Sequence, residues 1–164
     1  MSPDATVVID RQRATDRSCP SRGALERWVA ETLARAPEAP AGGAEVTVRY
    51  VEPEESQSLN AQFRHRDRPT NVLSFPSVDD PASLVTVDDP SGIPYLGDLV
   101  ICNRVVEAEA GEQGKSTRAH HAHMLVHGIL HLLGYDHLTE EEAERMESIE
   151  VDVLQSLGYS DPYA

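Results

Sequence analysis

Six of the seven histidines lie between residues 120 and 137, and three of them stand at a spacing that few arrangements satisfy. The run reads His127-Gly128-Ile129-Leu130-His131-Leu132-Leu133-Gly134-Tyr135-Asp136-His137. On a helix, His127 and His131 fall one turn apart on one face, so both rings can reach a single metal ion. Gly134 can take a positive φ, which ends the helix and turns the chain back. His137 then arrives from the side as a third ligand. The rival triplet His123, His127 and His131 fails on distance. Eight residues of helix span about 12 Å, whereas ligand nitrogens sit about 2.0–2.1 Å from a zinc ion.

Three histidines with no fourth protein ligand nearby describe a catalytic zinc site with one open position. Nickel and copper also accept imidazole ligands, and zinc is the expected ion, one per chain. The run matches the zinc-protease motif H-E-x-x-H-x-x-G-x-x-H in its histidines and glycine. Position 128, however, is glycine where those proteases carry the glutamate that serves as general base. Peptide hydrolysis suffers most from that loss, because an amine leaves poorly without proton transfer. Phosphodiester cleavage leans more on charge stabilisation. The expectation for His120, His121 and His123 is solvated residues or residues that support the ligands. Asp136 suits either a turn or the orientation of a ligand imidazole.

The rest of the chain reads as alternating strands and capped helices. Strands are predicted over 6–10, 45–51, 71–75 and 96–102, where Val46, Val48 and Tyr50 alternate with Thr47 and Arg49. Ser21 caps a helix over 22–36, Pro53 opens one up to Phe63, and Asn103 caps one over 104–112. Ser116 or Thr117 starts the helix that Gly134 ends. Thr139 with Glu142 forms a capping box for a last helix up to Leu157. Residues 77–94 hold four aspartates and four prolines or glycines, which predicts a long surface loop with a small hairpin near 84–87. The pattern is α+β: one domain over 1–164, with residues 1–20 a partly flexible extension.

No apolar run reaches the roughly 18 residues of a membrane helix. The first ten residues lack a basic segment followed by an apolar one, so a cytoplasmic location is expected. Cys19 and Cys102, the only cysteines, read as reduced thiols. The net charge of −14 opposes non-specific nucleic-acid binding, but the charge is uneven. Residues 138–152 carry seven acids against one arginine, while Arg64, Arg66 and Arg68 face only Asp67 within 60–70. A local basic patch can bind phosphate on an acidic protein. The expectation is a basic rim at the metal cleft, with the acids of the last helix pointing away.

That basic turn lies in Leu59-Asn60-Ala61-Gln62-Phe63-Arg64-His65-Arg66-Asp67-Arg68-Pro69-Thr70-Asn71-Val72-Leu73-Ser74-Phe75-Pro76. Together with the histidine run and Leu96-Gly97-Asp98-Leu99-Val100-Ile101, it closely resembles the YbeY family of bacterial endoribonucleases, the rRNA maturation factors. The three motifs span about residues 45–158. The resemblance implies an α+β fold with a mixed four-stranded sheet, packed helices and zincin-like topology. It implies zinc on His127, His131 and His137, and a functional Arg64 that contacts RNA phosphate. It further implies single-stranded RNA as substrate, trimming of the 3′ end of small-subunit rRNA, and a part in ribosome quality control.

From chemistry alone, Arg64 suits a bidentate phosphate grip or an ion pair with Glu54 or Glu55. Arg66, Arg68 and His123 are weaker candidates for RNA contact, and His123 or a metal-bound hydroxide is the group to consider as general base. Asn71 and Asp98 suit supporting hydrogen bonds on their strands. Two other functions stay open at this point: a metal-dependent peptidase or other hydrolase, and a non-catalytic ribosome-binding protein with structural zinc.

Overall fold

A computed structural model describes residues 6–79 and 93–163. Among them, strands β1 (Thr6–Ala14), β2 (Gly43–Val51), β3 (Val72–Pro76) and β4 (Tyr95–Cys102) form one sheet in the order β1-β2-β4-β3. β1, β2 and β4 run parallel, and β3 pairs antiparallel with β4, so the sheet is mixed as expected. Five helices accompany it: α1 (Arg22–Arg35), α2 (Pro53–Arg64), α3 (Asn103–Gln113), α4 (Thr117–Leu132) and α5 (Glu140–Ser156). β1 continues four residues past its predicted end. Its last residues, Arg11 to Ala14, are mostly polar and gain strand structure only by pairing with Val48 to Val51 on β2. The predicted hairpin near 84–87 lies outside the described residues.

The period-two pattern decides which face of the sheet is covered by what. Val46, Val48 and Tyr50 of β2, with Leu99 and Ile101 of β4, pack against α1, α4 and α5 in the main core. Val51, Leu73, Val100 and Cys102 face the other way and meet Leu59 of α2 in a smaller cluster. α4 runs through the main core and is buried on nearly every side, from His120 to Leu132. Its N-terminus is capped by Ser116, whose Oγ accepts from Ala119 N at 3.1 Å. Thr139 caps α5 in the same way, accepting from Glu142 N at 3.1 Å. The three acids of that first turn stand at the positive end of the helix dipole.

One cap differs from expectation. Asn103 does not cap α3. It is the first residue inside the helix, fully buried, and its Nδ2 donates to Ser18 O at 3.1 Å. The side chain ties α3 to the segment before α1 instead of satisfying its own helix. Both cysteines are free thiols, and no described helix is long and apolar enough to cross a membrane.

Candidate metal centre and cleft

The close approach of α4 to the sheet begins at Gly128. A Cβ built there would lie 2.8 Å from Leu99 Cδ2 and 3.3 Å from Val72 Cγ2. The absence of a side chain at position 128 lets the helix seat this deeply without displacing Leu99. The same fact removes any room for the protease glutamate at that position.

α4 then stops in a Schellman motif. Tyr135 N donates to Leu130 O and Gly134 N to His131 O, both at 3.0 Å, with Gly134 at φ +98°. The turn does two things for the site. It points Tyr135 O at His131 Nδ1, 3.0 Å away. It also carries the chain round to His137, whose backbone N–H donates to Asp136 Oδ1 at 2.8 Å, so Asp136 serves the turn rather than a ligand ring.

His127, His131 and His137 converge. One ring nitrogen from each lies within 4.8 Å of the other two, and His127 Nε2 and His131 Nε2 are 3.0 Å apart. Burial, and then the neighbouring imidazoles His127 and His137, push His131 down to about 4, so its ring is neutral near pH 7. Its Nδ1 faces a carbonyl and must donate, which leaves a lone pair on Nε2. His127 Nδ1 lies 3.3 Å from Glu150 Oε1 and donates for the same reason. With both rings neutral, two lone pairs face each other across 3.0 Å, an arrangement that a cation between them relieves. Nitrogens about 2.0–2.1 Å from a tetrahedral metal sit about 3.4 Å from each other. The donor set fits a metal ion, with the three nitrogens drawn in from within 4.8 Å of one another.

The arginines stand on the same cleft. A cavity of about 640 Å³ is lined by the three histidines and by Arg64, Arg66 and Arg68. The basic turn is held by α2. Asn60, 3% exposed, donates from Nδ2 to Arg68 O at 2.8 Å, and its backbone O accepts from Arg66 N at 3.2 Å. Ser56 Oγ binds both Thr70 N (2.9 Å) and Thr70 O (3.1 Å). Arg64 itself donates from Nη2 to Ser74 O at 2.7 Å, with its guanidinium 5.2 Å from the centre of the Phe75 ring. It does not pair with Glu54 or Glu55; Glu55 is bound bidentately by Arg49 at 2.7 and 3.1 Å.

The other histidines depart from the expectation of solvated residues. His120, His121 and His123 are 1%, 3% and 7% exposed. His123 does not line the cleft. Its Nε2 meets Glu150 Oε2 at 2.7 Å and its Nδ1 meets Lys115 Nζ at 3.3 Å, so neither nitrogen is available to RNA or to a reacting proton. His120 Nε2 binds Glu109 Oε1 at 2.8 Å, and Glu109 also accepts from Asn71 Nδ2 at 3.0 Å. Asn71 thus holds the cleft wall to α3. Asp98 accepts from Tyr95 Oη, away from the histidines.

Glu150 is the residue that sequence reasoning misses. The acids of α5 are expected to point away, and this one points inward, 1% exposed. Burial alone would raise its pKa, but hydrogen bonds from His123 and His127 outweigh that and hold it at about 2. A signal exists: Met146, Glu150, Val153 and Leu154 share one helical stripe, and the other three are core residues.

Comparison with known proteins agrees with this architecture. The family described as Endoribonuclease YbeY matches residues 10–158, a longer span than the three motifs alone cover. An Endoribonuclease YbeY of Pseudomonas putida is 52% identical over 158 residues, 96% of this chain and 94% of that protein. Another from Pseudomonas entomophila is 49% identical over the same shares. The solution structure of TM1509 from Thermotoga maritima is similar with a TM-score of 0.57 and 27% identity, over 93% of this chain and 91% of that one. The chain belongs to the YbeY endoribonuclease family.

Proposed function

We propose that this chain is a zinc-dependent endoribonuclease that cuts single-stranded RNA. The same reading makes rRNA its substrate, with the 3′ end of small-subunit rRNA as the processing site, a role in ribosome quality control, the ribosome as partner and the cytoplasm as location. The observation that carries the chemistry is the convergence of three imidazoles at a cleft that three arginines also line. Family membership supports RNA as the substrate.

Zinc bound by His127, His131 and His137 would supply Lewis acidity toward a phosphoryl oxygen and make a water acidic enough to ionise near neutral pH. Arg64 is the proposed catalytic residue. Anchored by Ser74 O through Nη2, it presents a planar, permanently charged group that grips phosphate and steadies the charge that develops on it. Arg66 and Arg68 contact the RNA backbone further along the turn and hold the strand in register. A cleft of this size favours a single strand, whose unstacked bases can splay outward.

The peptidase reading loses support at Gly128, where neither a carboxylate nor the space for one exists. A purely structural zinc loses support because, among the described residues, the candidate metal group comprises three histidines and no fourth side chain. Glu150 sits behind the His127 ring, on the Nδ1 side.

The test compares wild type, Arg64→Ala and His131→Ala on single-stranded and double-stranded RNA, with zinc measured on the same samples. Arg64→Ala should retain zinc and lose activity by about 10²–10³. His131→Ala should lose both. Equal cleavage of the two RNA forms, or full activity in zinc-free His131→Ala, would overturn the proposal.

A further inference from the structure

Neither metal ligation nor phosphate binding uses the carboxylate of Glu150, yet both of its oxygens are held by side chains around the site. It reaches the centre of the molecule from α5 and is 1% exposed. Its Oε1 lies 3.3 Å from His127 Nδ1. Its Oε2 lies 2.7 Å from His123 Nε2 and 3.1 Å from the Tyr163 hydroxyl.

The donors can be assigned from the ends of this chain of bonds. Lys115 Nζ has only N–H to give, so His123 Nδ1, 3.3 Å away, accepts and Nε2 carries the proton. His123 therefore donates to Glu150, and so does Tyr163. A carboxylate accepts only, so His127 holds a proton on Nδ1, and the neutral ring then offers its Nε2 lone pair to the cleft.

Charge leads to the same place. A carboxylate 1% exposed is costly to keep ionised unless an opposite charge stands close. Lys115 is separated from it by the whole His123 ring. A divalent cation on the far side of His127 is one imidazole away and carries twice the charge. We propose that Glu150 is a positioning residue that fixes the His127 tautomer and acts as the buried counter-charge of the metal, so that it governs how tightly the metal is held; this rests on the metal reading given above.

The experiment titrates zinc into wild type, Glu150→Gln and Glu150→Ala against a chromophoric chelator, and records thermal unfolding in zinc and in EDTA. Both variants should bind zinc about 10–100-fold more weakly than wild type. The rise in unfolding temperature on adding zinc should shrink in both. A merely structural role would lower the two melting curves equally and leave zinc affinity unchanged, and that result overturns the proposal. If neither variant folds, histidine ¹⁵N NMR of zinc-loaded wild type decides. Ligation through His127 Nε2 with the proton kept on Nδ1 supports the role, and ligation through Nδ1 ends it. Failure of wild type to bind zinc at all would instead remove the metal reading itself.

Discussion

His121 gives the sharpest quantitative prediction. Its ring is 3% exposed and packs edge-on against Tyr50 at 5.8 Å between centroids. Neither ring nitrogen has a hydrogen-bond partner among the described residues. Burial, and then the neighbouring His120, lower its pKa to about 4. In the unfolded chain the same side chain titrates near 6.5. The unfolded state therefore takes up a proton as pH falls through 6.5, while the folded state does not until about 4. Stability contributed by the neutral ring is complete above pH 6.5 and drains away toward pH 4. A gap of about 2.5 pH units corresponds to a loss on the order of 3 kcal/mol. His121→Leu keeps similar volume and removes both unpaired nitrogens. It should be at least as stable as wild type at pH 7, by about 1 kcal/mol or more. Its advantage should widen by on the order of 3 kcal/mol by pH 4. Urea unfolding of both proteins in EDTA, at half-unit steps of pH, measures this. Parallel stability curves across that range would refute the argument.

Two further outcomes follow from the cleft. Gly128→Ala should destabilise by about 1 kcal/mol, because overpacking against Leu99 outweighs the gain in helix propensity. Gly128→Glu should cost more than about 4 kcal/mol and create no peptidase, since its carboxylate has no space and no partner; thermal unfolding and a peptide-cleavage assay check both. Replacing Arg66 and Arg68 together by alanine should flatten the salt dependence of single-strand RNA binding. The slope of log affinity against log salt should fall by about 1.4, at about 0.7 for each phosphate no longer neutralised, and an unchanged slope would place the phosphates elsewhere.

Much of this architecture could be read in the chain because its signals are local. Ser21, Ser116 and Thr139 each announce a helix with the atom that caps it. The His127-His131-Gly134-His137 spacing brings three imidazoles together through helix pitch and a single turn. Alternation in β2 sorts Val46, Val48 and Tyr50 onto the core face. What was not legible depends on partners distant in sequence. Arg11 to Ala14 become strand only beside β2. Asn103 leaves its expected cap for Ser18. The histidines at 120, 121 and 123 look polar in sequence, yet the helix that bears them is buried on nearly every side. Glu150 is hidden in an acidic helix, and only its place in an apolar stripe distinguishes it.

The outer margin of β3 has a consequence of its own. Asn71 O and Ser77 N bond to β4, so alternation turns the backbone of Val72, Ser74 and Pro76 toward the outside. Each of these three positions is blocked in part. Asn71 Oδ1 takes Val72 N–H at 2.6 Å, Arg64 takes Ser74 O, and Pro76 has no N–H to offer. An extended polypeptide lying alongside would meet a broken ladder, so this border gives a peptide guest or a second copy poor purchase. What the groove does offer along this border is the cationic lining of Arg64, Arg66 and Arg68.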